Sequence, residues 1–205
     1  MSRLINSLIR RGYLKSDILI EAFLKIERKE FLPEELEDQA EVNVALPIGY
    51  GQTISQPATV AFMLELLNPQ AGQRVLDVGS GSGWTTALLA YIVKEKGKVV
   101  ALERIKELVA FGKKNVKKFG FCEKGIVRFY EADGSLGLSQ EAPFDRILVS
   151  AAAEKIPQAL KDQLKIGGKL IIPIGNDLYC LEKKEANNFC EEIFPGFEFV
   201  PLIEN

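Results

Sequence analysis

Histidine is absent from this 205-residue chain, and cysteine is scarce, with only Cys122, Cys180 and Cys190. Without histidine, histidine-based general-base chemistry and Ser–His–Asp triads are excluded, and nitrogen–sulfur metal sites lose a main ligand. Three widely spaced cysteines cannot all pair within one chain and form no C-x-x-C, so neither a disulfide framework nor a metal site is expected. Excess charge is also missing. Against 28 Asp+Glu stand 26 Lys+Arg, and a net charge of −2 offers nothing to attract nucleic acid or an anionic membrane surface. Lys113, Lys114, Lys117 and Lys118 do cluster, but at a helical spacing that reads as one solvated face. No apolar run reaches membrane-spanning length, and the opening Met1-Ser2-Arg3-Leu4-Ile5-Asn6 lacks the apolar core of a secretion signal. The expectation is a reduced, cytoplasmic protein with no nucleic-acid or membrane partner, a monomer by default.

What is present is an average globular composition, 47% hydrophobic and 26% charged, on a chain long enough to bury a full core. Residues 1–45 read as helical and charged. Ser16-Asp17 can cap a helix with apolar positions Ile18, Leu19, Ala22, Phe23 and Ile26, and Pro33-Glu34-Glu35-Leu36 opens another with Pro at its first position. The stretch 46–57 is too rich in glycine and proline for a regular element, and a helix is predicted over 58–67. From residue 73, short apolar runs alternate with helical patterns. Strands are predicted over 74–78, 98–102, 126–130, 146–150 and 169–174, with helices over 85–93, 105–119 and 157–164. Such alternation means an α/β fold, a doubly wound, mostly parallel sheet with an N-terminal helical extension. The runs 178–182 and 197–202 are candidates to finish the sheet.

Asp77-Val78-Gly79-Ser80-Gly81-Ser82-Gly83 falls where the first of these strands ends and its helix begins, at the carboxyl edge of the sheet where such folds bind ligands. Glycines there let the backbone approach a ligand closely. A tight turn would need one glycine; three on alternate positions go beyond it. The turn alone does not separate nicotinamide from S-adenosylmethionine. Two features lean to the latter: the spacing is G-x-G-x-G, and the acid Asp77 precedes it, suited to a cationic amino-acid end and awkward for a pyrophosphate. Glu103, at the end of the second strand, is placed to accept hydrogen bonds from ribose hydroxyls, and Asp133-Gly134 follows the third strand, where an acid can reach an adenine edge.

Gly51-Gln52-Thr53-Ile54-Ser55-Gln56-Pro57 resembles the signature loop of the protein-L-isoaspartate O-methyltransferases. The resemblance continues through Phe31-Leu32-Pro33, Leu46-Pro47-Ile48-Gly49, Met63-Leu64-Glu65-Leu66-Leu67, Asp133-Gly134-Ser135-Leu136-Gly137, Ala142-Pro143-Phe144-Asp145 and Ala151-Ala152-Ala153, weakening after about residue 176. It implies a Rossmann-like class I methyltransferase of one domain: a helical segment and substrate loop over 1–57, a cofactor-binding core over 58–176 and C-terminal strands over 177–205. On this reading Asp77, Gly79, Ser80, Gly81, Gly83, Glu103, Asp133 and Gly134 bind S-adenosyl-L-methionine. Ser55 touches the reacting carboxylate, and Gln52, Thr53, Ile54, Ser150, Ala151 and Ala152 meet the substrate. The implied activity is methylation of the free α-carboxylate of L-isoaspartyl or D-aspartyl residues in damaged proteins, followed by spontaneous closure to a succinimide. The pattern is broken at Ala58 and Thr59, where the family carries an aromatic residue or histidine, and over Glu41-Val42-Asn43-Val44-Ala45, where it reads Tyr-x-Asp-x-Pro. The rivals are a methyltransferase of another substrate, a non-catalytic binder of damaged peptides and, disfavoured by the glycine spacing, a nicotinamide oxidoreductase.

Overall fold

The computed structural model describes residues 2–203. The chain opens with α1 (Arg3–Arg10), whose first turn is closed by Ser2 Oγ accepting from Ile5 N at 3.3 Å, and α2 (Asp17–Lys25). Two 3-10 turns follow, Arg28–Phe31 and Glu34–Gln39. The predicted helix at Pro33 is thus a 3-10 turn, with the proline at its N-cap and not at its first position. Ser16 does precede α2 as predicted, but its hydroxyl caps nothing. It donates to Glu65 Oε2 at 2.6 Å, and Glu65 Oε1 accepts from the amides of Lys15 and Ser16, which ties the start of α2 to the following helix α3 (Pro57–Leu67).

The expectation of no regular element over 46–57 holds only at Ser55 and Gln56. Residues 46–54 form a hairpin, β1 (Leu46–Gly49) and β2 (Gln52–Ile54), joined by Tyr50 and Gly51, both at positive φ, and Pro57 already opens α3. Two consecutive left-handed residues are what a two-residue hairpin turn requires, and the buried Leu46, Ile48 and Ile54 fix which face turns inward.

Beyond α3 the alternation holds: β3 (Arg74–Val78), α4 (Trp84–Val93), β4 (Lys98–Glu103), α5 (Lys106–Lys117), β5 (Val127–Glu131), β6 (Phe144–Val149), α6 (Gln158–Gln163) and β7 (Leu164–Ile174). β8 (Asp177–Glu185) and β9 (Asn188–Pro195) complete a seven-stranded sheet of order β5-β4-β3-β6-β7-β8-β9, parallel from β5 to β7 and antiparallel at β8 and β9. The last strand is therefore 188–195; the apolar run 197–202 makes only one bridge, Pro201 to Ala152.

Successive strand residues go to opposite faces. Val75, Val99 and Leu148 pack with α2 to α5, whereas Leu76, Val100 and Ile147 pack with Leu160 of α6. Burial on both faces explains why these strands read as continuous apolar runs. After β3 the chain winds outward to β4 and β5, then crosses to β6 on the other flank, so the crevice at the switch point opens at the end of β3. Among the described residues no helix is long and apolar enough to cross a membrane.

Candidate active site

From Val78 the backbone turns through 79–83 before α4 begins. Gly79, Gly81 and Gly83 have φ of 76, 50 and 87°, the left-handed region that glycine enters without strain. α5 holds this turn from outside. Asn115 Nδ2 donates to Ser82 O at 3.1 Å, and a Cβ on Gly83 would stand 2.9 Å from both Gly112 O and Val116 Cγ2. Four of the turn's amides are committed: Gly79 and Ser80 donate to Leu102 O, Gly83 to Ser80 O, and Gly81 to Glu103 Oε2 at 3.0 Å. A pyrophosphate cradle needs such amides free.

The charges buried beside the turn are carboxylates. Glu103 is 7% exposed, and its Oε1 accepts from Ile105 N at 3.0 Å while Oε2 holds Gly81; each oxygen keeps a further lone pair for a hydroxyl. Asp77 is fully buried. Its Oδ2 accepts from the hydroxyls of Thr86 at 2.6 Å and Thr85 at 3.0 Å, and its Oδ1 has no partner. Burial pushes the Asp77 carboxyl up from 3.8 to about 6, against the lowering effect of those two hydrogen bonds. Ser80 Oγ is also buried without a partner.

The hairpin folds over this turn, with Ile48 Cδ1 3.2 Å from where a Gly81 Cβ would be. Ser55 follows β2. Gln56, not Ser55, occupies the N-cap of α3, and among the described residues the Ser55 hydroxyl makes no hydrogen bond. One cavity runs along the glycine turn, past Glu103, Ala132 and Gly134. A second opens beside it between Asn43, Ala58, Phe62 and Phe197. Thr53, Ser55, Ser150 and Val200 line both. The C-terminal segment reaches this junction because Ala152 N donates to Val200 O at 2.8 Å and Leu202 N to Ala152 O at 2.7 Å.

Over residues 1–205 the chain matches the model of the family described as protein-L-isoaspartate(D-aspartate) O-methyltransferase. It belongs to that family. A protein-L-isoaspartate O-methyltransferase of Methanopyrus kandleri is 46% identical over 98% of this chain and 90% of its own length. One of Dictyoglomus thermophilum is 47% identical over 92% and 84%. The fold also superposes, with a TM-score of 0.89 and 31% identity over 98% of this chain and 97% of the other, on a Plasmodium falciparum structure described as a protein-L-isoaspartate O-methyltransferase in complex with S-adenosyl-L-homocysteine.

Most of the residues predicted from the sequence meet at the two cavities: Gly79, Ser80, Gly81, Glu103 and Gly134 on one wall, Gln52, Thr53, Ile54 and Ser55 on the hairpin side, with Ser150 and Ala151 between. Four do not line the first cavity. Asp77 lies beneath it, behind Thr85. Gly83 is needed for packing against α5. Asp133 Oδ1 accepts from Ser135 N at 2.9 Å and Ser135 Oγ at 2.7 Å, closing the 3-10 turn Gly134–Leu136, while its neighbours Ala132 and Gly134 line the cavity. The amide and carbonyl of Ala152 are spent on the C-terminal segment.

The broken family pattern has a local explanation. Asn43 Oδ1 accepts from Ala58 N and Asn43 O from Gln56 Nε2, each at 2.9 Å, so an amide side chain at 43 still fastens the cleft wall to the start of α3. Wall residues that sequence reasoning missed include Trp84, Thr85 and Val200. Trp84-Thr85-Thr86 directly after the glycines was the one available signal; Val200 had none, because only the fold brings it there.

Proposed function

We propose that this chain transfers a methyl group from S-adenosyl-L-methionine to the free α-carboxylate of L-isoaspartyl or D-aspartyl residues in damaged proteins, initiating their repair. Family membership supplies the activity class. The observation that carries the assignment to these residues is that Ser55, with a free hydroxyl, lines both the cavity along the glycine turn and the cleft beside it. Bound S-adenosylmethionine supplies an electrophilic methyl group on a sulfonium.

The residues present fit that group. Glu103 has lone pairs to spare for hydroxyls, and the buried Asp77 and Glu103 give the crevice a negative field suited to a cation and unsuited to a pyrophosphate. Gly79, Ser80, Gly81 and Gly134 form the wall against which it would lie. A substrate carboxylate is already ionised at neutral pH, its pKa lying near ~4, so the chain needs no general base and the lack of histidine is no obstacle. What the protein contributes is position. Ser55 holds the carboxylate in line, Thr53 and Ser150 flank it, and the hairpin and residues 200–203 exclude water. We assign the working unit as the single domain over 1–205, acting as a monomer in the cytoplasm, with isoaspartyl proteins and peptides as partners and no nucleic acid.

The test is a pair of peptides identical except that one carries L-isoaspartate and the other L-aspartate. They differ only in which carboxyl group continues the backbone, so a site that works by positioning labels the first and spares the second. Equal labelling of both would point to a different carboxyl methyltransferase.

A further inference from the structure

Arg28 stands at the head of the 3-10 turn Arg28–Phe31, in a charged stretch that reads as surface, yet it is 5% exposed. Among the described residues it has no ion-pair partner. Its guanidinium is solvated by backbone carbonyls alone: Nη1 donates to Ala40 O at 3.3 Å and Val42 O at 3.0 Å, and Nη2 to Val44 O at 2.8 Å and Ser55 O at 3.3 Å. The guanidinium carbon lies 5.6 Å over the Trp84 ring, and Nε is unpartnered. Burial lowers its pKa to about 10, which still leaves it charged at neutral pH.

A buried cation without a counter-ion is costly, and a residue that only filled space here would be apolar. What the guanidinium does is join three segments at one point: 40–44, Ser55 and the start of α4. Three of its carbonyls belong to Ala40, Val42 and Val44, the segment that leads into the second cavity's wall at Asn43, Val44 and Ala45, and the fourth belongs to Ser55. The ring it covers is Trp84, the first residue of α4 and part of the cavity along the glycine turn. Asn43 makes the second set of stitches, its Oδ1 accepting from Ala58 N and its backbone carbonyl from Gln56 Nε2.

We infer that Arg28 is a positioning residue that holds Ser55 and the 40–45 wall in register with the glycine-turn side of the site. The inference rests on the proposed methyl transfer for its kinetic consequence but not for its structural one. Lysine offers one point charge in place of a planar fork and cannot hold four carbonyls at these separations. Displacing Ser55 by even a fraction of its reach disturbs alignment at the reacting carboxylate, where small displacements are expensive in rate.

The experiment compares wild type, Arg28→Lys and Arg28→Ala by melting temperature, S-adenosylhomocysteine affinity, isoaspartyl-peptide turnover and backbone hydrogen exchange. Arg28→Lys is expected to fold, to keep its S-adenosylhomocysteine affinity within about threefold, and to lose roughly tenfold to hundredfold in kcat. Arg28→Ala leaves a cavity of guanidinium shape, and low-millimolar guanidinium, far below denaturing concentration, should restore turnover there and not in Arg28→Lys. If Arg28→Ala does not fold, Arg28→Lys carries the test. Hydrogen exchange at 40–45 and 53–58 should rise in Arg28→Lys with no substrate present. The clamp is thereby read even if wild type proves inactive on the peptide, a result that would sink the proposed function alone. A folded Arg28→Lys with normal turnover, or with unchanged exchange in those two segments, overturns the inference; so does guanidinium that raises the melting temperature of Arg28→Ala without restoring its turnover.

Discussion

Ser55 and Asp77 show how differently two site residues can be held. The Ser55 hydroxyl is free, neighbours two cavities and caps no helix, so under the proposed function Ser55→Ala removes a contact made only to the substrate. A lost hydrogen bond to an ionised carboxylate costs roughly 1.5–3 kcal/mol, hence about tenfold to hundredfold in turnover. Stability and S-adenosylhomocysteine affinity should stay near wild type. A destabilised variant with normal turnover would mean that the residue is structural. Asp77 is the opposite case, buried, held by Thr86 and Thr85, and pushed up to about 6 by desolvation. Because its native pKa lies above the ordinary 3.8, the folded state keeps a proton that the unfolded chain releases, so stability falls as pH rises from 3.8 to about 6 and is level above. The full penalty is about 3 kcal/mol. Asp77→Asn stays neutral and can still accept from the threonines, so its stability relative to wild type should climb through that window while cofactor affinity drops at neutral pH. Urea denaturation across the range checks it; a difference that does not vary with pH would show that Asp77 ionises freely.

At the level of elements, the glycine turn is gripped between β3, β4 and α5, and its glycines have different jobs. A Cβ at Gly83 meets backbone, Gly112 O at 2.9 Å, whereas one at Gly81 meets only the tip of the Ile48 side chain at 3.2 Å. Both positions carry positive φ, which a Cβ strains by about 1–2 kcal/mol. Gly83→Ala therefore adds a clash that cannot relax, and should lose roughly 2–4 kcal/mol of stability, clearly more than Gly81→Ala. Denaturation midpoints of the two variants decide it, and equal losses would mean that α5 gives way. Gly112 is the matching half of this contact, its own Cβ position 2.8 Å from Gly81 O. A glycine inside a helix was a readable sign of close approach, though not of what approaches.

For the molecule as a whole, the sheet order gathers the site. β3 is the hub, paired to β4 on one side and β6 on the other, so Asp77 to Gly83, Glu103 and Ser150 arrive at one edge from three neighbouring strands. These were legible, since each follows a short apolar run in an alternating chain. The edges were not. β9 has an almost wholly exposed pattern, so it carries no hydrophobic alternation and is a strand only because its backbone pairs with β8. Residues 197–202 read as a strand because they are apolar, but that apolarity is for packing: Phe197 stacks on Phe62 at 5.5 Å and Val200 closes the site.

By itself the sequence determined the alternating core, the turn at the end of β3, the acids after successive strands and the signature loop, because periodicity, glycine spacing and a specific motif are local properties of a chain. Tertiary structure alone decided which of those groups line the two cavities and which pack against the rest of the fold. Gly83 packs against α5, Ala152 pairs with the returning C-terminus, and Arg28, in a charged stretch, is buried in the wall behind Ser55. Direction is set by what packs opposite, and the opposite partner lies far away in sequence: 27 residues separate Arg28 from Ser55, and 33 separate Asn115 from Ser82.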